Sequence, residues 1–389
     1  MKIIISHPTG NQNVRNAIKS LEEKNSLDCF ITSFNLTIEK KFLFFLPKYF
    51  QNLINRRSYK SYTTKIITTA FLYESVRIVM SRFFKWLKIK NNFDTLNIKI
   101  DTFTAKYISK NNNRINAVYA YDEGALDSFR EAKKHNIKCI YEYPVAHYKF
   151  TKVNISAVKQ RRKSLEMKLA DLIIVPSTWA AKSFSHLSKY KSKIRIVPYG
   201  CPENVNTNRN NWYNGKKPLK VLYVGQLSDG KGIPFLIRAL AKIPEKLIQM
   251  TFVGSGLYEN ILKKKFPHSK FVYSCSHEEV LQTMRDNDVF VLPSLSEGFG
   301  MVISEAMSQG MAVISTKNTA LQDIYNGRNS ILIPAKNVNK IYESILFLIK
   351  NPKKVKAIGL SALQYSKKNS WVKYRRKLYK LLHSHICKH

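Results

Sequence analysis

The chain has 389 residues, 44% hydrophobic and 12% aromatic, enough for two domains with buried cores and too apolar for wholesale disorder. Its longest unbroken apolar stretch, Phe42–Pro47, falls far short of the ~18–20 residues a bilayer-spanning helix needs, and Lys2–Ser6 meets His7-Pro8 too soon for a signal peptide. Sixty-five Lys and Arg against 26 Asp and Glu give +39, spread as +22 before residue 200 and +17 after it, so charge draws the chain toward polyanions without choosing among them.

A β run Lys2–Ser6 opens the chain, followed by a loop His7–Asn11, a helix from about Asn13 to Lys24 and a β run Asp28–Ser33. Later come β Asn116–Tyr121, helix Ala125–His135, β Lys138–Tyr143, helix Ile155–Leu169, β Leu172–Pro176, helix Thr178–Ser188 and β Lys193–Pro198. Residues 201–217 are polar, rich in Asn and aperiodic, which reads as a linker. Alternation then resumes: β Leu219–Val224, helix Pro234–Ala241, β Gln249–Val253, helix Tyr258–Lys265, β Lys270–Tyr273, helix His277–Arg285, β Val289–Pro293, helix Met301–Gln309, β Ala312–Ser315 and β Ser330–Ile333. Strands alternating with helices of 10–15 residues mark parallel sheets. The fold class is α/β: two doubly wound parallel-sheet domains facing a cleft, residues 1–200 and 218–365, with residues 366–389 as a terminal helix.

Five scattered cysteines (Cys29, Cys139, Cys201, Cys275, Cys387) form no C-x-x-C pair and suggest reduced thiols, neither a disulfide framework nor a zinc site. His383, His385 and His389 read as a basic tail, so no metal is expected.

The chemistry concentrates in the second domain. After Val289–Pro293 comes S-L-S-Glu297-Gly298-Phe299-Gly300-M-V-I-S-Glu305-Ala306, two glutamates eight positions apart, one on a loop and one on the following helix. The N–H groups of Phe299, Gly300 and Met301 would open that helix as an anion site. Taken singly, each glutamate could equally be a solvated surface residue. Gly225-Gln226-Leu227-S-D-Gly230-Lys231-Gly232 joins a strand to a helix and offers a lysine to phosphate. Gly254-Ser255-Gly256 is a third glycine turn, as readily a plain tight turn.

In that order, V-G-x-L-x-x-x-K-G, F-V-G-x-G and P-S-x-x-E-G-F-G-x-x-x-x-E-A resemble the family 4 glycosyltransferases, retaining enzymes of the GT-B architecture built from two Rossmann-like domains. Ala170–Ser177, Ile194–Gly200 and the segment from Ser370-Trp371 to Leu382 extend the resemblance over residues 165–382. It implies that Glu297 binds donor-sugar hydroxyls, that Phe299 and Gly300 amides meet sugar and diphosphate, and that Glu305 binds the ribose. Lys231 would neutralise the leaving diphosphate, while Gly225, Gly254, Gly256 and the loop Tyr273–Ser276 would border the nucleotide. Where the family usually has Arg, this chain has Gln226, leaving a missing charge to Arg195, Lys193 or Arg15. In the first domain Gly10 and Asn11 could touch diphosphate. Asp122, Glu123 or His147 could orient the acceptor hydroxyl, although Asp122 also reads as a helix cap. The resemblance makes Glu297, Lys231 and His147 the catalytic set.

Lys41 to Lys90 holds eleven Lys and Arg, one acid (Glu74) and twelve aromatics. As a helix, Phe71–Lys90 would carry Leu72, Val76, Phe83 and Trp86 on one face and Arg77, Arg82, Lys85 and Lys88 on the other, the pattern of an interfacial helix on an anionic membrane or of a helix packed on the sheet. The expected function is transfer of a sugar, with retention and without a metal, from a nucleotide-diphosphate sugar (UDP or GDP) to a glycan or lipid-linked acceptor. No cofactor is expected, and the expected location is cytoplasmic, peripheral at the inner face of the plasma membrane. The alternatives are a nucleotide-sugar epimerase and a basic nucleic-acid-binding protein, the latter without any helix-turn-helix, RRM or zinc-finger pattern.

Overall fold

The computed structural model describes residues 1–35, 51, 58–59, 65–69, 93–203, 209, 211–273 and 275–387. The expected helix over residues 71–90, with Arg77, Arg82, Lys85, Trp86 and Lys88, lies outside the described residues.

The first sheet comprises β1 (Ile3–Ser6), β2 (Leu27–Thr32), β3 (Ile66–Thr68), β4 (Ala117–Tyr121), β5 (Lys138–Glu142), β6 (Leu172–Val175) and β7 (Ile194–Ile196). All pairs are parallel, in the order β3-β2-β1-β4-β5-β6-β7. Around it lie α1 (Gln12–Glu22), α2 (Phe93–Asn111), α3 (Leu126–Lys134), α4 (Tyr148–Thr151), α5 (Ala157–Leu169) and α6 (Thr178–Lys182). Runs such as Ile3–Ile5 are wholly buried because helices cover both faces, so these strands read as continuous apolar stretches. Strand order reverses between β1 and β4, and the rings of His7, just after β1, and Tyr121, the last residue of β4, meet edge to face at 4.6 Å.

The second sheet comprises β8 (Leu219–Val224), β9 (Ile248–Val253), β10 (Lys270–Val272), β11 (Val289–Leu292), β12 (Ala312–Thr316) and β13 (Ile331–Ile333), in the order β10-β9-β8-β11-β12-β13. Its helices are α7 (Ile233–Leu240), α8 (Glu259–Lys265), α9 (His277–Arg285), α10 (Met301–Ser308), α11 (Leu321–Ile324), α12 (Val338–Lys350) and α13 (Pro352–Lys368). The reversal here falls between β8 and β11, so the turns after those two strands face the cleft, where doubly wound sheets bind ligands.

The last helix, α14 (Trp371–Ile386), leaves the second domain and packs on α1. Arg375 fastens it: Nη1 donates to Asn16 Oδ1 (2.9 Å), Nε pairs with Glu23 (3.0 Å), and the backbone carbonyl accepts from Ser20 (2.8 Å).

Helices α2, α12 and α13 stand where the sequence reading named no element, and two further elements differ from it. The helix expected over Thr178–Ser188 stops at Lys182, because the Ser183 hydroxyl donates back to Ala180 O (2.5 Å) and accepts the His147 N–H (2.8 Å). Such side-chain bonds compete with helix continuation. The first sheet also gains β3, a half-buried edge strand from within the basic aromatic segment.

Candidate donor site

The two glycine turns of the second domain support each other. Gly254 packs directly on the backbone oxygen of Gly225, and a Cβ at Gly256 would stand 2.8 Å from the Leu227 carbonyl carbon. Leu227 N–H donates to Ser255 O (3.0 Å). Gly254 and Gly256 are thus required by turn-on-turn packing. Gln226 between them is exposed, its carbonyl taking the Tyr223 hydroxyl at 2.8 Å.

The loop after β11 is held from three sides. Leu295 N–H donates to Gly230 O (2.9 Å), Glu297 N–H to Asn318 O (2.9 Å), and Asn318 Nδ2 to Leu295 O (2.8 Å). This brings the Lys231 ammonium to 2.5 Å from Glu297 Oε1, which also accepts the Ser294 hydroxyl at 2.7 Å. Lys231 stays about one-third exposed, able to turn toward an incoming anion. Gly300, left-handed at φ 82°, caps α10. No N–H of Phe299, Gly300 or Met301 donates to another described residue, as is usual for a helix start awaiting an acceptor. Lys231, Glu297 and the α10 N-terminus therefore converge.

Glu305 occupies a separate station, five residues beyond Gly300 and so roughly 7 Å along the axis. Burial pushes its carboxyl upward, opposed by His277, whose Nδ1 stands 3.8 Å away. It opens onto an interdomain cavity of about 430 Å³ with Arg15 and Lys19 of α1, His277 and Arg285 of α9, and Met301. The Lys231–Glu297 pair is not in that lining. A ligand touching both stations must be extended along α10, as a nucleoside diphosphate with a sugar at its far end would be.

The domains meet directly above Glu297. Gly298 O accepts the Ser177 hydroxyl, Trp179 Nε1 donates to Ser296 Oγ (3.0 Å), and Thr178 binds Asp323 through its N–H (2.7 Å) and its hydroxyl. A Cβ on Gly298 would lie 2.6 Å from the Pro144 carbonyl carbon. Phe299 is buried, its ring 5.2 Å from Tyr199. Ser177, Thr178, Trp179 and Asp323 escaped the sequence reading. A cluster such as P-S-T-W after a strand signals a helix cap, and its partners lie more than a hundred residues away.

In the first domain several candidates have structural partners. Gly10 lies beneath Tyr59, whose Cζ stands 2.5 Å from the place of a Cβ. Its carbonyl accepts from Arg15 Nε (2.8 Å). Asp122 and Glu123 do not follow the simple cap reading: both carboxylates grip Lys163, and Tyr141 donates to Asp122 at 2.8 Å. Asp122 still lines a cavity of about 210 Å³ with Pro8, Thr9, Asn11, Asn97 and Tyr121. His147 is buried among Tyr143, Tyr148, Phe184 and His186, and burial lowers its pKa to about 4. Its Nδ1 accepts the Lys149 N–H (3.3 Å), so Nε2 carries the proton, and that nitrogen has no partner among the described residues. Ser276 caps α9 in a reciprocal capping box with Glu279.

The three cations offered in place of the missing arginine separate cleanly. Lys193 donates to Lys168 O and Ala170 O, and Arg195 to Ser192 O and Ile194 O, at the β7 edge of the first sheet. Arg15 alone of the three lines the interdomain cavity. Among the described residues no three His, Cys, Asp or Glu side chains form a metal-binding group, and no helix is long and apolar enough to cross a membrane.

Residues 204–364 match the family model for glycosyl transferases group 1. An uncharacterized glycosyltransferase of Methanocaldococcus jannaschii is 36% identical over 158 residues, covering 39% of this chain and 44% of that protein. The sulfoquinovosyl transferase of Arabidopsis thaliana is 30% identical over 162 residues, 40% of this chain and 31% of that one. The chain thus spans less than half the length of these curated relatives. Anabaena Alr3699/HepE, solved in complex with UDP, superposes over 99% of this chain and 100% of its own with a TM-score of 0.69 at 16% identity, which establishes the two-domain GT-B fold. The similarity to the glycosyl transferases group 1 family thus falls on the cleft-facing second domain, which carries Lys231, Glu297 and Glu305.

Proposed function

We propose that this chain is a retaining glycosyltransferase that moves a hexosyl group from a nucleotide-diphosphate sugar, UDP or GDP, to a hydroxyl of a cell-surface glycan or lipid-linked acceptor, without a metal ion. The observation that carries the reading is the convergence of Lys231, Glu297 and the open N–H groups of α10, with Glu305 at a separate station farther along the same helix. Breaking the bond between sugar and diphosphate leaves positive charge on the anomeric carbon and negative charge on the departing phosphate. Lys231 and the α10 amides would take up the negative charge, and fixed donors of this kind contribute roughly 2.7–4 kcal/mol each in comparable oxyanion sites. Glu297 would release Lys231 to the phosphate and accept sugar hydroxyls instead. Glu305 would accept from the ribose. Arg15 would supply charge from the opposite wall, where Gln226 offers none. The acceptor would enter along the first-domain cavity beside Asp122, and His147 Nε2–H would help orient it. The basic aromatic stretch with Arg77, Arg82, Lys85, Trp86 and Lys88 supports work on the cytoplasmic face of an anionic membrane.

Thermal stabilisation by UDP-, GDP-, ADP- and TDP-sugars tests the donor, since a ligand at 100 times its Kd stabilises by about 2.7 kcal/mol. Stabilisation by one nucleotide class, followed by a new glycoside with the anomeric configuration retained, is expected. No stabilisation by any of them would overturn the reading. Consumption of donor without an acceptor would instead indicate an epimerase.

A further inference from the structure

Beyond Glu343 the chain contains no aspartate or glutamate: residues 344–389 carry twelve Lys and Arg and no acid. At the acid content of the whole chain about three would be expected there. In α14 this imbalance becomes a surface. At about 100° per residue, Lys373, Arg376, Lys377, Lys380 and His383 fall within an arc of about 120°, and all five are exposed. Trp371, Tyr374, Arg375, Leu378 and Leu382 form the opposite arc, buried against the rest of the molecule.

No carboxylate among the described residues neutralises the outer row. Lys373 Nζ meets the Asn369 amide oxygen at 3.0 Å, and none of Lys373, Arg376, Lys377 or Lys380 pairs with a carboxylate among the described residues. Glu23 and Glu203, which do pair with α14, are engaged by Arg375 on the inner arc. A row of like charges on one helix face repels itself, and a layer of anions lying against it would relieve that repulsion. From Lys373 to Lys380 the row is straight and runs roughly 10 Å, a line of charge suited to a plane. The exposed arc carries no Phe, Tyr or Trp, and its one ring, His383, already lies against Tyr379 at 5.8 Å, a poor platform for the base stacking that single-stranded nucleic-acid binders use.

We propose that the outer face of α14 binds the headgroups of an anionic phospholipid bilayer. This deepens the membrane part of the function proposed above, adding a contact far in sequence from residues 71–90. It would place the joint between α1 and α14 against the lipid surface.

The test is co-sedimentation of the full chain with vesicles of phosphatidylcholine containing roughly one-third phosphatidylglycerol, against phosphatidylcholine alone, at low salt where surface charge is least screened. Three variants are compared: Lys373→Gln/Arg376→Gln/Lys377→Gln/Lys380→Gln, Arg77→Gln/Arg82→Gln/Lys85→Gln/Lys88→Gln, and the two combined. At roughly fivefold per cation near such a surface, the α14 variant, which loses four, should fall by about 600-fold in partitioning, with its melting temperature unchanged. Wild-type partitioning by that variant would overturn the proposal. Loss only in the residues 71–90 variant would also overturn it while leaving the membrane reading intact. Absence of binding by the unmodified chain would overturn both. Preferential loss of oligonucleotide binding, with vesicle binding kept, would point to nucleic acid and reject the lipid assignment.

Discussion

Gly298 offers the sharpest test of how the two domains cooperate. A Cβ there would stand 2.6 Å from the Pro144 carbonyl carbon and 2.8 Å from Val145 Cα, across the domain boundary. Real Cβ contacts stay above 3.0 Å and the Pro144 carbonyl oxygen lies nearer still, so Gly298→Ala must part the two loops by about 1 Å or more. The Gly298 backbone is not left-handed, so alanine adds no local strain and the second domain should fold normally. The opening would also stretch the Ser177–Gly298 hydrogen bond. Displacing reacting groups by about 1 Å costs on the order of 100-fold in rate. With the donor found by thermal stabilisation, the variant should therefore bind nucleotide within about twofold of wild type while kcat falls by roughly 30- to 100-fold. Full turnover would show that the Gly298–Pro144 approach is irrelevant to chemistry. A parallel collapse of nucleotide affinity would show instead that the alanine had damaged the donor station itself.

Three further outcomes follow from the same geometry. Glu305→Ala should weaken donor binding by about 10- to 100-fold in calorimetry, the value of a charged hydrogen-bonding group, about 1.5–3 kcal/mol, and unchanged affinity would remove Glu305 from ribose binding. Lys231→Ala should lower kcat by about 100- to 1,000-fold with a smaller change in KM, and an effect confined to KM would show uniform binding rather than leaving-group stabilisation. His147 is held neutral in the folded chain down to about pH 4, whereas unfolded it protonates below about 6.5. Its contribution is absent at pH 7, and the folded state loses up to about 3 kcal/mol as pH falls from 6.5 to 4. His147→Asn, which can still cap α4, should flatten that acid loss in urea titrations; an identical pH profile would show that His147 is not what titrates.

The second domain was legible because its strands are consecutive apolar runs and its ligand-facing residues lie close along the chain. Lys231 and Glu297 come from turns that end adjacent strands, β8 and β11, so their meeting follows from the topology. The first domain was less readable. In α2 the apolar row Leu96, Ile100 and Ile108 is interrupted by buried Asp101 and Thr104, which obscures the helical period. Asp101 is acceptable there because it takes the Ser128 hydroxyl and N–H and pairs with Arg162, partners that no spacing rule reveals. Tyr59 over Gly10 and Lys163 between Asp122 and Glu123 are likewise long-range packing solutions. Such contacts exist only once the sheet is assembled, and they give candidate ligand residues framework partners as well.

The position of α14 also orders events in time. Ser20 and Arg375, hydrogen-bonded in the finished molecule, are separated by 355 residues. A ribosome that has released the whole first sheet has therefore not yet made the helix that shields α1, and the buried flank of that helix waits uncovered throughout synthesis of the second domain. Chains cut before Trp371 should be captured by chaperones or proteases through α1, even though neither sheet has lost a strand.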